Sequence, residues 1–132
     1  MALAEATKAR AKSVKAKQSR HVKVRKASTL GVIGLGYVGL PLVVEMARAG
    51  FKVIGFDVDQ RRVDGINAGQ SQIEDIPTPV LEPFVRSGQV RASTDFAELD
   101  NVVCISICVP TPLRKTKDPD ISYILAAVDQ IR

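Results

Sequence analysis

The stretch at residues 29–39, T-L-G-V-I-G-L-G-Y-V-G, is an apolar run that leads directly into a glycine-rich turn. Its β-branched first part is typical of a buried parallel strand. Gly34, Gly36 and Gly39 occupy the glycine positions of G-x-G-x-x-G. The first glycine of this pattern permits a tight turn, the second leaves room for a pyrophosphate, and the third lets the next helix pack closely. An apolar helix over residues 37–49 is therefore predicted.

A second apolar run, at residues 51–56, ends at Asp57. Asp57 follows the motif by about 20 residues, where a dinucleotide-binding unit carries the carboxylate that accepts hydrogen bonds from the adenosine ribose. A carboxylate at this position repels the 2′-phosphate of NADP, so NAD is the predicted cofactor. Arg61 and Arg62 leave NADP open, because arginine can pair with that phosphate, although an exposed helix face also explains both.

The rest of the chain alternates between helical and strand patterns, with strands expected at residues 89–93 and 101–109 and a last helix at 121–132. This alternation predicts an α/β fold, a Rossmann-like parallel sheet in the order 3-2-1-4 with helices on both faces. The last predicted helix is the one that would lead into a fifth strand. We therefore expect an incomplete sheet with an open edge at strand four, and the front part of a larger protein.

The net charge of +5 is unevenly distributed, because residues 1–28 hold nine Lys or Arg and one acid. This segment has too few apolar residues to form a core, so a disordered basic tail at 1–28 and a folded domain at 29–132 are predicted. An anion-binding tail and a targeting peptide are the alternatives to a solvated extension. No aromatic residue is interleaved for base stacking, so we expect no nucleic-acid partner.

No apolar run reaches the length of about 18 residues that a membrane-spanning helix needs, and no secretory signal pattern occurs. The two cysteines, Cys104 and Cys108, fit a reducing compartment. We therefore expect a cytoplasmic protein without a membrane partner. Both cysteines fall in the predicted fourth strand, where we expect small buried apolar groups and no reactive thiol.

Several segments together resemble the UDP-glucose/GDP-mannose dehydrogenase family of nucleotide-sugar 6-dehydrogenases. They are G-L-G-Y-V-G-L-P-L at 34–42, G-F-D-V-D-x-x-R-V at 55–63, I-N-A-G-x-S-x-I-E at 66–74 and R-A-S-T-D-F at 91–96. The runs C-V-P-T-P-L at 108–113 and D-P-D-I-S-Y at 118–123 narrow the resemblance to the branch that includes UDP-N-acetylglucosamine 6-dehydrogenases. The resemblance covers residues 29–132.

The resemblance implies specific cofactor contacts. The backbone amides of Tyr37 and Val38 would contact the pyrophosphate of NAD, and Asp57 with Arg62 would hold the adenosine ribose. The loop after strand four would pass beside the cofactor, and its matching residues are Val109, Pro110 and Thr111. For Thr111, a simple role in the turn is an equal alternative.

The family reaction implied by the resemblance oxidises the C6 alcohol of a UDP-sugar to a carboxylate with two NAD⁺, through an aldehyde and a thioester on a cysteine. That cysteine lies in a G-G-H-C segment of a later domain, and this segment does not occur here. Cys104 and Cys108 do not match it. We therefore predict no catalytic residue and no metal site in this chain, which alone should not oxidise a sugar. The complete protein is expected to bind a UDP-sugar, such as a UDP-N-acetylhexosamine, as a homo-oligomer.

Three other interpretations stay open at this point. Another dehydrogenase with the same front domain, such as a 3-hydroxyacid or 6-phosphogluconate type, is the enzymatic alternative. A stand-alone nucleotide-binding module with a basic tail for anionic partners is the second. The third is a truncated, inactive product.

Overall fold

The computed structural model describes Arg25 and residues 27–132. The basic segment predicted at residues 1–28 lies, apart from its last few residues, outside the described residues. The elements follow one another as β1 (Thr29–Ile33), α1 (Gly39–Arg48), β2 (Lys52–Phe56), α2 (Gln60–Asn67), α3 (Thr78–Arg86), β3 (Val90–Ser93), a 3-10 helix (Phe96–Asn101), β4 (Cys104–Ile107) and α4 (Ser122–Ile131).

The four strands form one parallel sheet in the order β3-β2-β1-β4, which confirms the predicted order. The chain moves outward from β1 to β3 and then returns to place β4 on the other side of β1. A parallel sheet that reverses direction in this way opens a crevice at the carboxyl ends of its central strands. In this sheet the crevice lies between the ends of β1 and β4.

Alternate residues of β1 point to opposite faces of the sheet, and each face is covered by helices. Val32 packs into a core with residues of α1, α2 and α3, such as Leu40, Ile66 and Leu81. Ile33 belongs to a second core, on the face that carries the 3-10 helix and α4. Helices therefore cover both faces, as predicted, and the sheet lies between two apolar layers.

The fourth strand differs from its prediction in length and in burial. It spans only Cys104–Ile107, because Asn101 ends the 3-10 helix. Cys104 is exposed and Cys108 is half-buried, so the prediction of two buried cysteines within the strand is wrong. The physical reason is that β4 pairs with β1 alone and is an edge strand of the described sheet.

Candidate cofactor-binding site

Three chain segments converge at the crevice because the strand register aligns the ends of β1, β2 and β4. Ile33 lies opposite Phe56 of β2 and opposite Ile107 of β4. The residues that follow these three positions are Gly34, Asp57 and Cys108. Backbone hydrogen bonds continue the pairing, since the amide of Gly34 donates to the carbonyl of Phe56 at 2.7 Å.

The three motif glycines have different surroundings. Gly34 has φ +94°, and a Cβ there would lie 2.6 Å from the carbonyl oxygen of Cys108. A Cβ on Gly39 would overlap the carbonyl oxygen of Gly34. A Cβ on Gly36, by contrast, would meet no atom within 4 Å. The fold itself requires the first and third glycines, whereas the space above Gly36 is left for something that approaches the backbone.

Tyr37 and Val38 form a turn before α1, which begins at Gly39, two residues later than predicted. Val38 holds the N-cap position, where its apolar side chain cannot accept a hydrogen bond from the helix. Amides at a helix start lack intrahelical acceptors and lie at the positive end of the helix dipole. This turn can therefore donate hydrogen bonds to the oxygens of a phosphate group.

Asp57 is 6% exposed and carries the negative charge of the site. Its Oδ2 accepts hydrogen bonds from the amide of Leu35 at 2.9 Å and from Nη1 of Arg62 at 3.0 Å. Its Oδ1 accepts one from the amide of Asp59 at 3.0 Å. An ionised carboxylate has about four acceptor positions, so Oδ1 retains room for one incoming hydroxyl donor.

A cavity of about 410 Å³ lies over these groups. Of the residues predicted to bind the cofactor, seven line it: Gly34, Gly36, Tyr37, Val38, Asp57, Arg62 and Pro110. Gly39 is buried beneath Gly34, Val109 packs against the second core, and Thr111 is exposed. The cavity combines a small number of polar groups with apolar walls, as ligand sites do.

The lining also includes residues that the sequence prediction omits, namely Leu35, Val58, Cys108 and Tyr123. Leu35 and Val58 are neighbours of predicted residues, so their position follows from the motifs. Tyr123 lies far along the chain, and its only signal was the D-P-D-I-S-Y run at 118–123. Nothing in that run alone indicates that its tyrosine lines the same cavity as the glycine turn.

A second polar cluster supports the end of β3 behind Asp57. The carbonyl of Ser93 accepts a hydrogen bond from the amide of Asp57 at 3.2 Å. The hydroxyl of Ser93 donates to Glu98 at 2.8 Å, and Arg91 forms an ion pair with the same carboxylate. The hydrogen bond from Ser93 and the charge of Arg91 lower the pKa of Glu98, although partial burial opposes them. These contacts therefore favour the ionised form of Glu98.

Neither a metal-ligand cluster nor a membrane-spanning helix occurs among Arg25 and residues 27–132. This part of the chain contains no group of three or more metal-ligating side chains. None of its helices is long and apolar enough to cross a membrane.

Comparison with known proteins identifies the kind of domain to which this chain is similar. The sequence profile described as "UDP-glucose/GDP-mannose dehydrogenase family, NAD binding domain" matches residues 28–132. UDP-N-acetyl-D-mannosamine dehydrogenase of Salmonella typhi is 41% identical over 105 residues, which cover 79% of this chain and 24% of the relative. NDP-N-acetyl-D-galactosaminuronic acid dehydrogenase of Ralstonia nicotianae is 41% identical over 107 residues, which cover 78% and 24%.

A solved structure of a nucleotide-sugar dehydrogenase is also similar to this chain. The crystal structure of a ternary complex of GDP-mannose dehydrogenase from Pseudomonas aeruginosa superposes with a TM-score of 0.74 at 34% identity, covering 77% of this chain and 24% of that protein. The chain thus spans about a quarter of the length of the relatives that it matches.

Proposed function

This chain belongs to the UDP-glucose/GDP-mannose dehydrogenase family and carries its NAD-binding domain. We propose that it is the NAD-binding part of an enzyme that acts on a UDP-N-acetylhexosamine. The reaction would oxidise the C6 alcohol of the sugar to a carboxylate with two NAD⁺. The choice of sugar is supported by the names of the two relatives, which both denote dehydrogenases of N-acetylated amino sugars. A homo-oligomer in the cytoplasm is our expectation for the complete protein.

The observation that carries the proposal is the contact between Asp57 and the glycine turn. Asp57 holds the turn through the amide of Leu35 and keeps one acceptor position free on Oδ1. We assign this position to a hydroxyl of the adenosine ribose, with Arg62 beside it. The pyrophosphate would then lie over Gly36, where the backbone is open, and accept hydrogen bonds from the amides of Tyr37 and Val38.

The charge of the site favours NAD over NADP. Asp57 is nearly fully buried, so water screens its charge poorly. A 2′-phosphate on the adenosine ribose would bring a second negative charge against it. Arg62 offsets this repulsion only in part, because its guanidinium is already paired with Asp57.

Bound NAD would supply a hydride acceptor, and the residues described here would orient it without taking part in bond making. The G-G-H-C segment that the family resemblance requires for the thioester step does not occur among these 132 residues. We therefore expect the chain alone to bind NAD and not to oxidise a UDP-sugar. The complete protein would supply the sugar site.

Titration calorimetry with NAD tests the cofactor assignment, on which the proposed function depends. The unaltered chain should bind NAD, and Asp57→Ala should weaken binding about tenfold, the loss expected for a hydrogen bond to a charged group. Asp75→Ala, which removes an exposed acid outside the cavity, is the matched control. NAD binding that is absent, or equal in Asp57→Ala and the unaltered chain, would refute the cofactor assignment. NAD reduction by the chain with any UDP-sugar would refute its inactivity.

A further inference from the structure

Tyr123 has a position that the cofactor assignment above does not use. It is the second residue of α4, it is about half exposed, and it lines the cavity beside Cys108 and Pro110. More than eighty residues separate it from the glycine turn along the chain. The fold nevertheless places this residue in the lining of the same cavity.

The start of α4 is held in place by several polar contacts. The amide of Asp120 donates to the carbonyl of Pro112 at 2.7 Å. Its carboxylate accepts a hydrogen bond from the amide of Ser122 at 3.0 Å and from Arg114 at 3.3 Å. The hydrogen bonds from Ser122 and the charge of Arg114 lower the pKa of Asp120. These contacts position the first turn of α4, which contains Tyr123.

The two ends of the cavity differ in chemistry. On the β2 side its walls are Asp57, Val58 and Arg62, which suit a ribose and its base. On the β4 side they are Cys108, Pro110 and Tyr123, which are mostly apolar. A dinucleotide that has its adenosine ribose on Asp57 and its pyrophosphate over Gly36 must extend toward β4. The nicotinamide half then reaches the wall that contains Tyr123.

We propose that Tyr123 is a cofactor-contacting residue, whose ring forms the wall against the nicotinamide half of NAD. This assignment rests on the proposed function. Oxidised nicotinamide is a flat ring with a positive charge, and the face of an aromatic side chain attracts such a group. The phenol ring also supplies apolar contact area with few rotatable bonds.

The other exposed apolar residues of α4 do not share this position. Leu125 and Val128 are about as exposed as Tyr123, but neither lines the cavity. An exposed apolar helix face therefore does not by itself explain the location of the tyrosine. Leu125→Ala is accordingly a matched control, since it removes a similar apolar group from the same helix.

The experiment compares NAD with ADP-ribose, which contains the adenosine, the pyrophosphate and the second ribose but lacks nicotinamide. Calorimetric titrations of the 132-residue chain would be made with both ligands, for the unaltered protein and for Tyr123→Ala, Tyr123→Phe and Leu125→Ala. Tyr123→Ala should weaken NAD binding about fivefold, the size expected for the loss of one aromatic contact, and leave ADP-ribose binding unchanged. Tyr123→Phe and Leu125→Ala should bind both ligands like the unaltered chain. Circular dichroism would check that each variant is folded.

The outcomes separate this inference from the proposed function. If Tyr123→Ala weakens both ligands equally, or neither, while the unaltered chain binds both, the inference fails and the cofactor assignment stands. If the unaltered chain binds neither ligand, both fail. If Tyr123→Ala does not fold, Tyr123→Phe provides the test, because this substitution removes only the hydroxyl and keeps the ring. A wall formed by the ring predicts undiminished NAD binding in this variant. A large loss of NAD binding in that variant would overturn the inference.

Discussion

Oδ2 of Asp57 accepts a hydrogen bond from the backbone amide of Leu35 at 2.9 Å. Through this bond the end of β2 holds the glycine turn that follows β1. The same carboxylate accepts a hydrogen bond from the amide of Asp59, the N-cap residue of α2. One buried side chain therefore fixes the shape of the site in addition to its role in the proposed binding of the ribose.

Asp57→Ala should destabilise the fold as well as the cofactor site. The substitution leaves the buried amide of Leu35 without its acceptor and removes the ion-pair partner of the half-buried Arg62. We expect the free energy of unfolding to fall by about 2 kcal/mol. Urea denaturation monitored by circular dichroism measures this, with Asp75→Ala as the exposed control. Equal stability of the two variants would contradict the structural role of Asp57.

Asp57→Ser should change the preference between NAD and NADP. The variant removes the charge that repels a 2′-phosphate and releases Arg62 to pair with that phosphate. The affinity ratio of NADP to NAD should rise about tenfold, which corresponds to ~1.4 kcal/mol of relieved repulsion. Calorimetric titrations with both nucleotides measure the ratio. Adding Arg62→Ala should reduce the gain to the part that comes from the lost repulsion, and a double variant with the same ratio as Asp57→Ser would exclude Arg62 as the phosphate partner.

Gly36→Ala should weaken NAD binding, whereas Gly39→Ala should destabilise the fold. A methyl group on Gly36 meets no protein atom, so stability should change by less than about 1 kcal/mol. It would occupy the space assigned to the pyrophosphate, so NAD affinity should fall about tenfold or more. Thermal unfolding and NAD titration together test this expectation. A Gly36→Ala chain with normal NAD affinity would show that the pyrophosphate binds elsewhere.

A Cβ on Gly39 would overlap the carbonyl oxygen of Gly34, and α1 would have to move away from β1. Gly39→Ala should therefore lose about 3 kcal/mol of stability through overpacking. Urea denaturation of this variant beside Gly36→Ala makes the comparison. Similar stability of the two would contradict the close approach of α1 to the glycine turn.

Ser93→Ala should lower stability in a pH-dependent way. In the folded chain the Ser93 hydroxyl helps to depress the pKa of Glu98, so the stabilisation is present above the ordinary glutamate pKa and is lost as the pH falls through the folded value. The variant should lose about 1 kcal/mol at neutral pH. Its difference from the unaltered chain should shrink below about pH 4.

Urea titrations across this pH range provide the measurement. Ser87→Ala is the control, because the Ser87 hydroxyl donates to the carbonyl of Phe84 and not to a carboxylate. A difference for Ser93→Ala that stays constant with pH would show that Glu98 does not respond to this hydroxyl.

Much of this molecule follows from local sequence. The glycine positions and Asp57 belong to one strand–helix–strand unit, whose geometry is set by short-range rules for tight turns and helix starts. The strand order could be predicted because parallel crossovers have one favoured hand. The helix cap at Asp59 is equally local, since its carboxylate accepts from the amide of Arg61, two residues later.

Only the tertiary structure decided the features that depend on register between distant strands. The exposure of Cys104 follows from the edge position of β4, which an apolar run does not reveal. The bond between Asp57 and Leu35 requires the ends of β1 and β2 to lie side by side. Tyr123 lines the cavity because α4 packs onto the second core through Ala127, and no short-range pattern encodes that packing. The sequence by itself therefore determined the fold class and the cofactor motif, whereas long-range packing decided which side chains surround the cofactor site.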